Sequence, residues 1–357
     1  MWAMVIKEFR ELRRDRRTMA MLIVLPLLLL VVFGYAANFK VSSIPTDVYG
    51  PQAQQVAGGL KDPFHVRTVD PTGARQDAEA AIRDNKVDVA IVARSEGTPT
   101  ALIDGSSLFA AQSAVSAFNR LGGQVHAEVL YNPELKTSWV MVPALAGLIL
   151  TFIGVIVTSL GLVRERQDGT LEQLAVMPFR PSDVIGGKIA PYFLFAGLDM
   201  VLVTVLGIIL FDVPFNGSVA VFGLGAILFL LVVLGLGGLI SSVSQNAGQA
   251  IQSAMFVLLP SIMFSGMIFP LVAMPWAIRW IGYVLPLTYF VNIAQGVMLR
   301  GASLSALWLS FVVLAGYAVV VFGAAILRLR RDLAPNVRER PPQEPAQEAP
   351  AEAVAST

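Results

Sequence analysis

Apolar positions along the chain gather into long uninterrupted blocks, not into the alternating or 3.6-residue patterns of half-buried elements. The first block, residues 19–37, carries no charge. As a helix its 19 residues would rise about 28 Å, close to the hydrocarbon thickness of a bilayer. Further blocks cover 139–163, 189–211, 218–240, 249–269 and roughly 305–327. Apolar runs of this length predict membrane-spanning helices rather than buried core helices. Between the last two lies 270–304, rich in Pro, Trp and Tyr and too interrupted for a clean span. Aromatics of this kind favour the membrane–water interface.

Four polar segments separate or flank these blocks. Residues 1–18 form a basic amphipathic pattern, with Trp2, Val5, Ile6, Phe9 and Leu12 on one face and Lys7, Arg10, Arg13, Arg14, Arg16 and Arg17 on the rest. That suits a helix lying in a cytoplasmic headgroup layer. A cleavable signal peptide is the competing reading, with Tyr35-Ala36-Ala37 as the cleavage site. The apolar run is long for a signal core and more spans follow, which favours an uncleaved anchor. Residues 38–138 hold 9 Lys/Arg and 11 Asp/Glu. Strand-like runs at Val87–Ala93 and Thr100–Ile103 and helical stretches at Pro71–Asn85 and Leu108–Val129 predict a small mixed α/β domain. Residues 164–188 are the most polar stretch between spans. The tail 328–357 begins basic and ends in a Pro/Ala/Glu/Gln stretch expected to be disordered.

The positive residues orient this pattern. With the N-terminus inside, 6 Lys/Arg precede the first span, 4 lie in 164–188 and 5 in the tail, while Arg279 and Arg300 fall in a short outer segment. The positive-inside rule then places both termini in the cytoplasm and 38–138 outside. The expected fold is an all-α polytopic membrane protein with six transmembrane helices and an inserted small α/β extracytoplasmic domain. Composition agrees: 55 % of residues are hydrophobic and only 14 % charged, with a mean hydropathy of +0.66, against about 25 % charged in soluble domains. The chain has no Cys and two isolated histidines, His65 and His126, so thiolate metal sites and disulfides are excluded.

The inner loop offers the clearest candidate chemistry. In RERQDGTLEQLAVMPFRPSDVIGGK, residues 164–188, Asp168-Gly169 reads as a turn and Thr170–Val176 as a short helix that Pro178 and Pro181 terminate. A short amphipathic helix held between two spans can pass force from a cytoplasmic partner, or can be a solvated connector. No G-x-x-x-x-G-K-[ST] occurs, since Ser182 stands where the first Gly would fall and Ile189 follows Lys188. Nor is there a nucleophile elbow or an H-E-x-x-H. Asp199 is the one charged residue deep in a predicted span. A carboxylate there costs roughly 2.5–3.5 kcal/mol on insertion scales, so it should face the bundle interior, as part of a translocation pathway or as a hydrogen-bonded clasp.

In several stretches the chain resembles the permease subunits of ABC-2 type (type V) ABC exporters, especially bacterial multidrug-exporter-like members with an outer domain between the first two spans. The resemblance is carried by KEFRELRRDRRTMAMLIVLPLLLLVVFGYA (7–36), NPELKTSWVMVPALAGLIL (132–150), the inner loop, LGLGGLISSVSQNAGQAIQSAMFVLLPSIMFSG (234–266), PLVAMPW (270–276) and PLTYFVNIAQGVMLRG (286–301). It implies a connecting helix at 1–18, a first transmembrane helix at 19–37, a five-helix membrane domain at 139–327 and a re-entrant outer segment at 270–304. It implies that Glu165, Gly169, Thr170, Leu171, Glu172, Leu174 and Pro178, which match E-x-x-x-G-T-L-E-x-L-x-x-x-P, form the coupling region that docks on an ATPase. The implied partners are that separate ATPase, which would bind ATP and Mg where this chain binds no cofactor, a second permease chain (the same or different), lipid, and an apolar or amphipathic substrate moved outward across a bacterial inner membrane. No nucleic acid is expected. Two positions depart from the family: Gln295 where members often carry Arg, and Ala144 where Gly is common. A membrane-anchored receptor or scaffold acting through its outer domain is the alternative, although five further spans exceed what an anchor needs.

Overall fold

The computed structural model describes residues 43–122, 124–167, 181–268, 270–271 and 274–333. The first apolar block, the basic N-terminal segment, most of the inner loop and the far tail lie outside them.

The domain expected on the outer side, called the outer domain for that expectation, is a five-stranded sheet in the order β2-β1-β3-β4-β5. Its strands are β1 (Ile44–Tyr49), β2 (Phe64–Asp70), β3 (Val89–Val92), β4 (Thr100–Asp104) and β5 (His126–Leu130). Only the β3–β4 pair is antiparallel. The parallel pairs need crossovers, and helices supply them: α1 (Ala53–Gly59), α2 (Arg75–Arg83) and α3 (Leu108–Arg120). The central strands read VAIV and TALID, near-continuous apolar runs that suit a sheet covered on both faces. One face packs Ile44, Val48, Ile91 and Ile103 against Ala111, Ala114 and Phe118 of α3. The other packs Ala90 and Leu102 against Ala78 and Ile82 of α2.

This sharpens the expected α/β domain and corrects one element. The stretch Leu108–Val129 is not one helix: α3 stops at Arg120, Gly122 turns with φ +62°, and His126–Leu130 becomes the edge strand β5. A residue in the left-handed region ends a helix readily when it is Gly.

The membrane region contains α4 (Thr137–Gln167), α5 (Pro181–Phe211), α6 (Val219–Val243), α7 (Ala247–Phe264), α8 (Trp276–Val284), α9 (Pro286–Met298) and α10 (Leu304–Leu333). Five of these are long and apolar enough to span, within a few residues of the expected blocks. The interrupted segment forms a pair of short helices, α8 and α9, bent by 80° at Leu285. Pro286 sets that corner, because a proline at the first helical position accepts the break that it imposes. Helices α4 and α6 cross closely. A Cβ on Gly237 would lie 2.8 Å from Thr158 Cβ and 3.0 Å from the Gly154 carbonyl oxygen, so only Gly permits the approach. Phe290 of α9 stacks on Phe229 of α6 with centroids 4.4 Å apart, and lies against Gly147 of α4. Helix α5 instead turns Leu194, Phe195, Leu198, Val201, Ile209 and Leu210 outward. Such a face is stable against lipid or another apolar surface.

Candidate functional site

Two devices fix the outer domain to the membrane helices. The first is the turn 131–136. Tyr131 and Leu135 adopt positive φ, and the buried Asn132 organises the turn. Its Oδ1 accepts from Lys136 N at 2.8 Å, and its Nδ2 donates to Lys136 O at 3.0 Å and Gly105 O at 3.3 Å. The turn therefore joins the end of β5 rigidly to α4.

The second device is Arg300, in the turn between α9 and α10. Gly301 takes φ +62° there, and the 212–217 loop clasps the turn through Asn216, whose Nδ2 donates to Leu299 O at 2.8 Å. The turn points Arg300 at the outer domain, where it is buried. Its Nη1 donates to Ser106 Oγ at 2.8 Å, its Nη2 donates to Asn292 Oδ1 at 3.3 Å, and Nη1 lies 3.8 Å from Asp104 Oδ2. Ser106 Oγ passes the contact on, donating to Asp104 Oδ1 at 2.6 Å. Asn85 Nδ2 donates to Asn292 Oδ1 at 3.4 Å, a second link across the junction. Among the described residues, Arg300 Nε and Asp104 Oδ2 have no hydrogen-bond partner.

Between these anchors, under the outer domain, lie two adjoining cavities of about 460 and 260 Å³. Asp88, Ser107, Gly266, Pro270 and Gln295 line both. The larger is the more polar of the two, with Asn292, Tyr283, Tyr289 and Arg300 in its wall. The smaller is walled by Leu108, Phe109, Val140, Met141, Met267 and Ile268. Gln295 Nε2 donates to Val140 O at 3.0 Å and so ties α9 to the outer turn of α4. Burial pushes the Asp88 carboxyl up to about 6, and Asp104 pushes the same way; a hydrogen bond from Ser107 and the charge of Arg300 oppose both. Burial also raises Asp104, against the pull of Arg300 and Ser106. Two carboxylates thus share one guanidinium at a desolvated junction.

The sequence-based candidates fall elsewhere. Glu165 lies in the last turn of α4, with its side chain outside the described residues, as are Gly169, Thr170, Leu171, Glu172, Leu174 and Pro178. Asp199 sits on α5, half-buried between the buried Met200 and the exposed Leu198, well away in sequence from the cavity walls. Of the residues that the structure gathers at the junction, Asn292 and Arg300 lie in the stretch PLTYFVNIAQGVMLRG without an assigned role, and Asp88 and Asp104 lie in no motif. Their signal was faint: a charge closing an apolar strand in ALID, and a charge just beyond an apolar helix in VMLR.

A sheet domain seated on a bundle of apolar spanning helices, with a bent helix pair beneath it, defines a polytopic membrane protein with a built extramembrane compartment. The ABC-2 family transporter protein family matches residues 16–327, and the chain belongs to it. The probable multidrug ABC transporter permease YbhR of Escherichia coli (strain K12) is 29 % identical over 93 % of this chain and 98 % of its own. The probable multidrug ABC transporter permease YbhS of the same strain is 29 % identical over 93 % of this chain and 97 % of its own. The inner membrane transport permease YhhJ, also of that strain, is 33 % identical over 57 % of this chain and 54 % of its own. The chain is an ABC transporter permease.

Proposed function

We propose that the chain is the membrane subunit of an exporter driven by a separate ATPase, working as a pair of permease chains in a bacterial inner membrane with both termini in the cytoplasm. The observation that supports this best is the near end-to-end likeness to the permeases YbhR and YbhS, joined to a sequence without a phosphate-binding loop. A pump with no nucleotide site must borrow one. The loop 164–188 is the natural dock: Glu165, Thr170, Leu171, Glu172 and Leu174 would face the ATPase, with Gly169 and Pro178 bounding the helix. The cargo would be apolar or amphipathic and would leave beneath the outer domain, past α8 and α9. Asp199 would line the pathway or clasp the bundle. Charge reversal at Glu165 and Glu172 tests the dock. Both variants should insert normally and lose the co-purified ATPase or its stimulation. Full ATPase binding and activity in both would overturn the assignment.

A further inference from the structure

We propose that the smaller cavity beneath the outer domain binds an amphipathic organic cation, with Asp88 as its counter-charge. That the ligand is cargo rests on the exporter reading; that the site takes a cation rests on the cavity itself. Asp88 is the one ionisable side chain among the residues lining this cavity, and Leu108, Phe109, Val140, Met141, Met267 and Ile268 make the rest of the wall largely apolar. Phe and Met faces accept a soft cation well.

Asp88 has a hydrogen bond from Ser107 but no cation committed to it. Arg300 is committed to Ser106 and Asn292, and Asp104 competes for it. Arg67 and Lys86 stand at the exposed rim of the larger cavity. Arg67 Nη1 donates to Lys86 O at 2.8 Å, and Lys86 Nζ lies 3.4 Å from Asp84. Tyr283 and Tyr289, from the bent helix pair, line the larger cavity and not the smaller. Arg300, the buried cation at the junction, already donates to Ser106 and Asn292, so an ionised Asp88 is left without a positive side chain of its own. A bound cation supplies that positive charge, an anion opposes the carboxylate, and a neutral ligand does neither. Burial of Asp88 also adds a signature: near pH 6 a proton and the cation compete for the same carboxylate. The cavity is small for a drug-sized ligand, but it shares Asp88 and Gln295 with the larger one beside it.

The test uses tetraphenylphosphonium and tetraphenylborate, which share a shape and differ in charge. The full chain is placed in phosphatidylcholine nanodiscs, with empty nanodiscs as the blank, and binding is measured by equilibrium dialysis. The phosphonium should bind saturably at pH 7.5 and the borate at least tenfold more weakly. Asp88→Asn should weaken phosphonium binding tenfold or more, while Asp88→Glu retains it. Wild-type affinity should fall about tenfold from pH 7.5 to pH 5, since a carboxyl titrating near 6 is about nine-tenths protonated there, and the Asp88→Asn profile should be flat. No saturable phosphonium binding, equal binding of the borate, or undiminished binding by Asp88→Asn overturns the site. ATP-driven phosphonium transport by an Asp88→Asn complex at the wild-type rate also refutes the site and leaves the exporter reading standing. Asp88-dependent binding by a chain that recruits no ATPase upholds the site and removes the exporter reading.

Discussion

Replacing Arg300 with Ala tests whether the outer domain is held by a charged pin. The substitution deletes the bonds to Ser106 and Asn292 and strands Asp104, whose side chain is 0 % exposed. The loss is not the sum of those contacts. Most of it is the cost of an uncompensated buried carboxylate, about 3–5 kcal/mol when one partner of a buried pair is removed. Arg300→Lys keeps the charge but not the fork that reaches Ser106 and Asn292 together, so it should lose a smaller amount. Adding Asp104→Asn to Arg300→Ala removes the stranded charge and should return part of the loss. Because the two residues act on each other, the cycle should show a coupling of about 1–3 kcal/mol. Pulse proteolysis of the full chain in detergent across a urea series gives the four free energies. A cost below about 1 kcal/mol for Arg300→Ala, or strict additivity in the double variant, would refute the pin.

Four more outcomes follow from the same geometry. Asp88 is raised to about 6 by burial, so the folded protein holds a proton that the unfolded chain has released between about pH 4 and 6; the Asp88 contribution to stability falls as pH rises through that window, opposite in sign to that of Glu128, which Arg75 lowers, and Asp88→Asn should remove the falling component and stabilise the protein at pH 7.5 by on the order of 2 kcal/mol in the same urea series. Gly237→Ala drives a Cβ to 2.8 Å from Thr158 and should cost about 1–3 kcal/mol in thermal unfolding, whereas Gly223→Ala, with nothing within 4 Å, should be neutral or slightly stabilising. Ser95, exposed on the outer domain, should as Ser95→Cys react with a membrane-impermeant maleimide in intact spheroplasts, and labelling only after lysis would invert the topology. Asp199→Asn should leave insertion and stability unchanged: reduced transport of cationic cargo assigns Asp199 to the pathway, and normal transport with an unstable Asp199→Leu makes it a clasp.

The spans were legible because hydropathy is a bulk property of some twenty residues, and no pairing decision is needed to see it. The expected blocks 218–240 and 305–327 stand against apolar helices at Val219–Val243 and Leu304–Ala325. The outer domain was legible only as a class. The strand-like runs read at Val87–Ala93 and Thr100–Ile103 stand against strands at Val89–Val92 and Thr100–Asp104. Phe64–Asp70 and His126–Leu130 are polar and lie at the sheet edges, and their strand character comes from hydrogen bonds to β1 and β4 rather than from composition. The junction was not legible at all. Arg300 and Ser106 lie 194 positions apart, and local pattern says nothing about which polar residue meets which across the two layers. Arg300 read simply as an outer-loop charge, although the turn built by Gly301 and Asn216 buries it.

A buried ion pair is a poor source of net stability, since desolvation offsets most of the attraction. Its presence at the junction is better understood through geometry. An apolar interface tolerates sliding, whereas a guanidinium that must satisfy Ser106 and Asn292 at once fixes one arrangement of the outer domain over α9. Helix α9 is in turn locked from below, by Phe290 against Phe229 and Gly147, and from the side, by Gln295 on Val140. Val140 belongs to α4, which contributes Thr137, Val140 and Met141 to the cavity wall at one end and carries Glu165 at the other. At 1.5 Å per residue its 31 residues make a rod about 46 Å long. Pro143 removes one backbone hydrogen bond just below the cavity and leaves the outer turn of this rod the easier part to bend. Under the exporter reading, a push on the cytoplasmic end of α4 therefore has a direct physical route to the cavity. It would move Val140 and Met141 against an outer domain that Arg300 holds in place, and the space beside Asp88 would change with them.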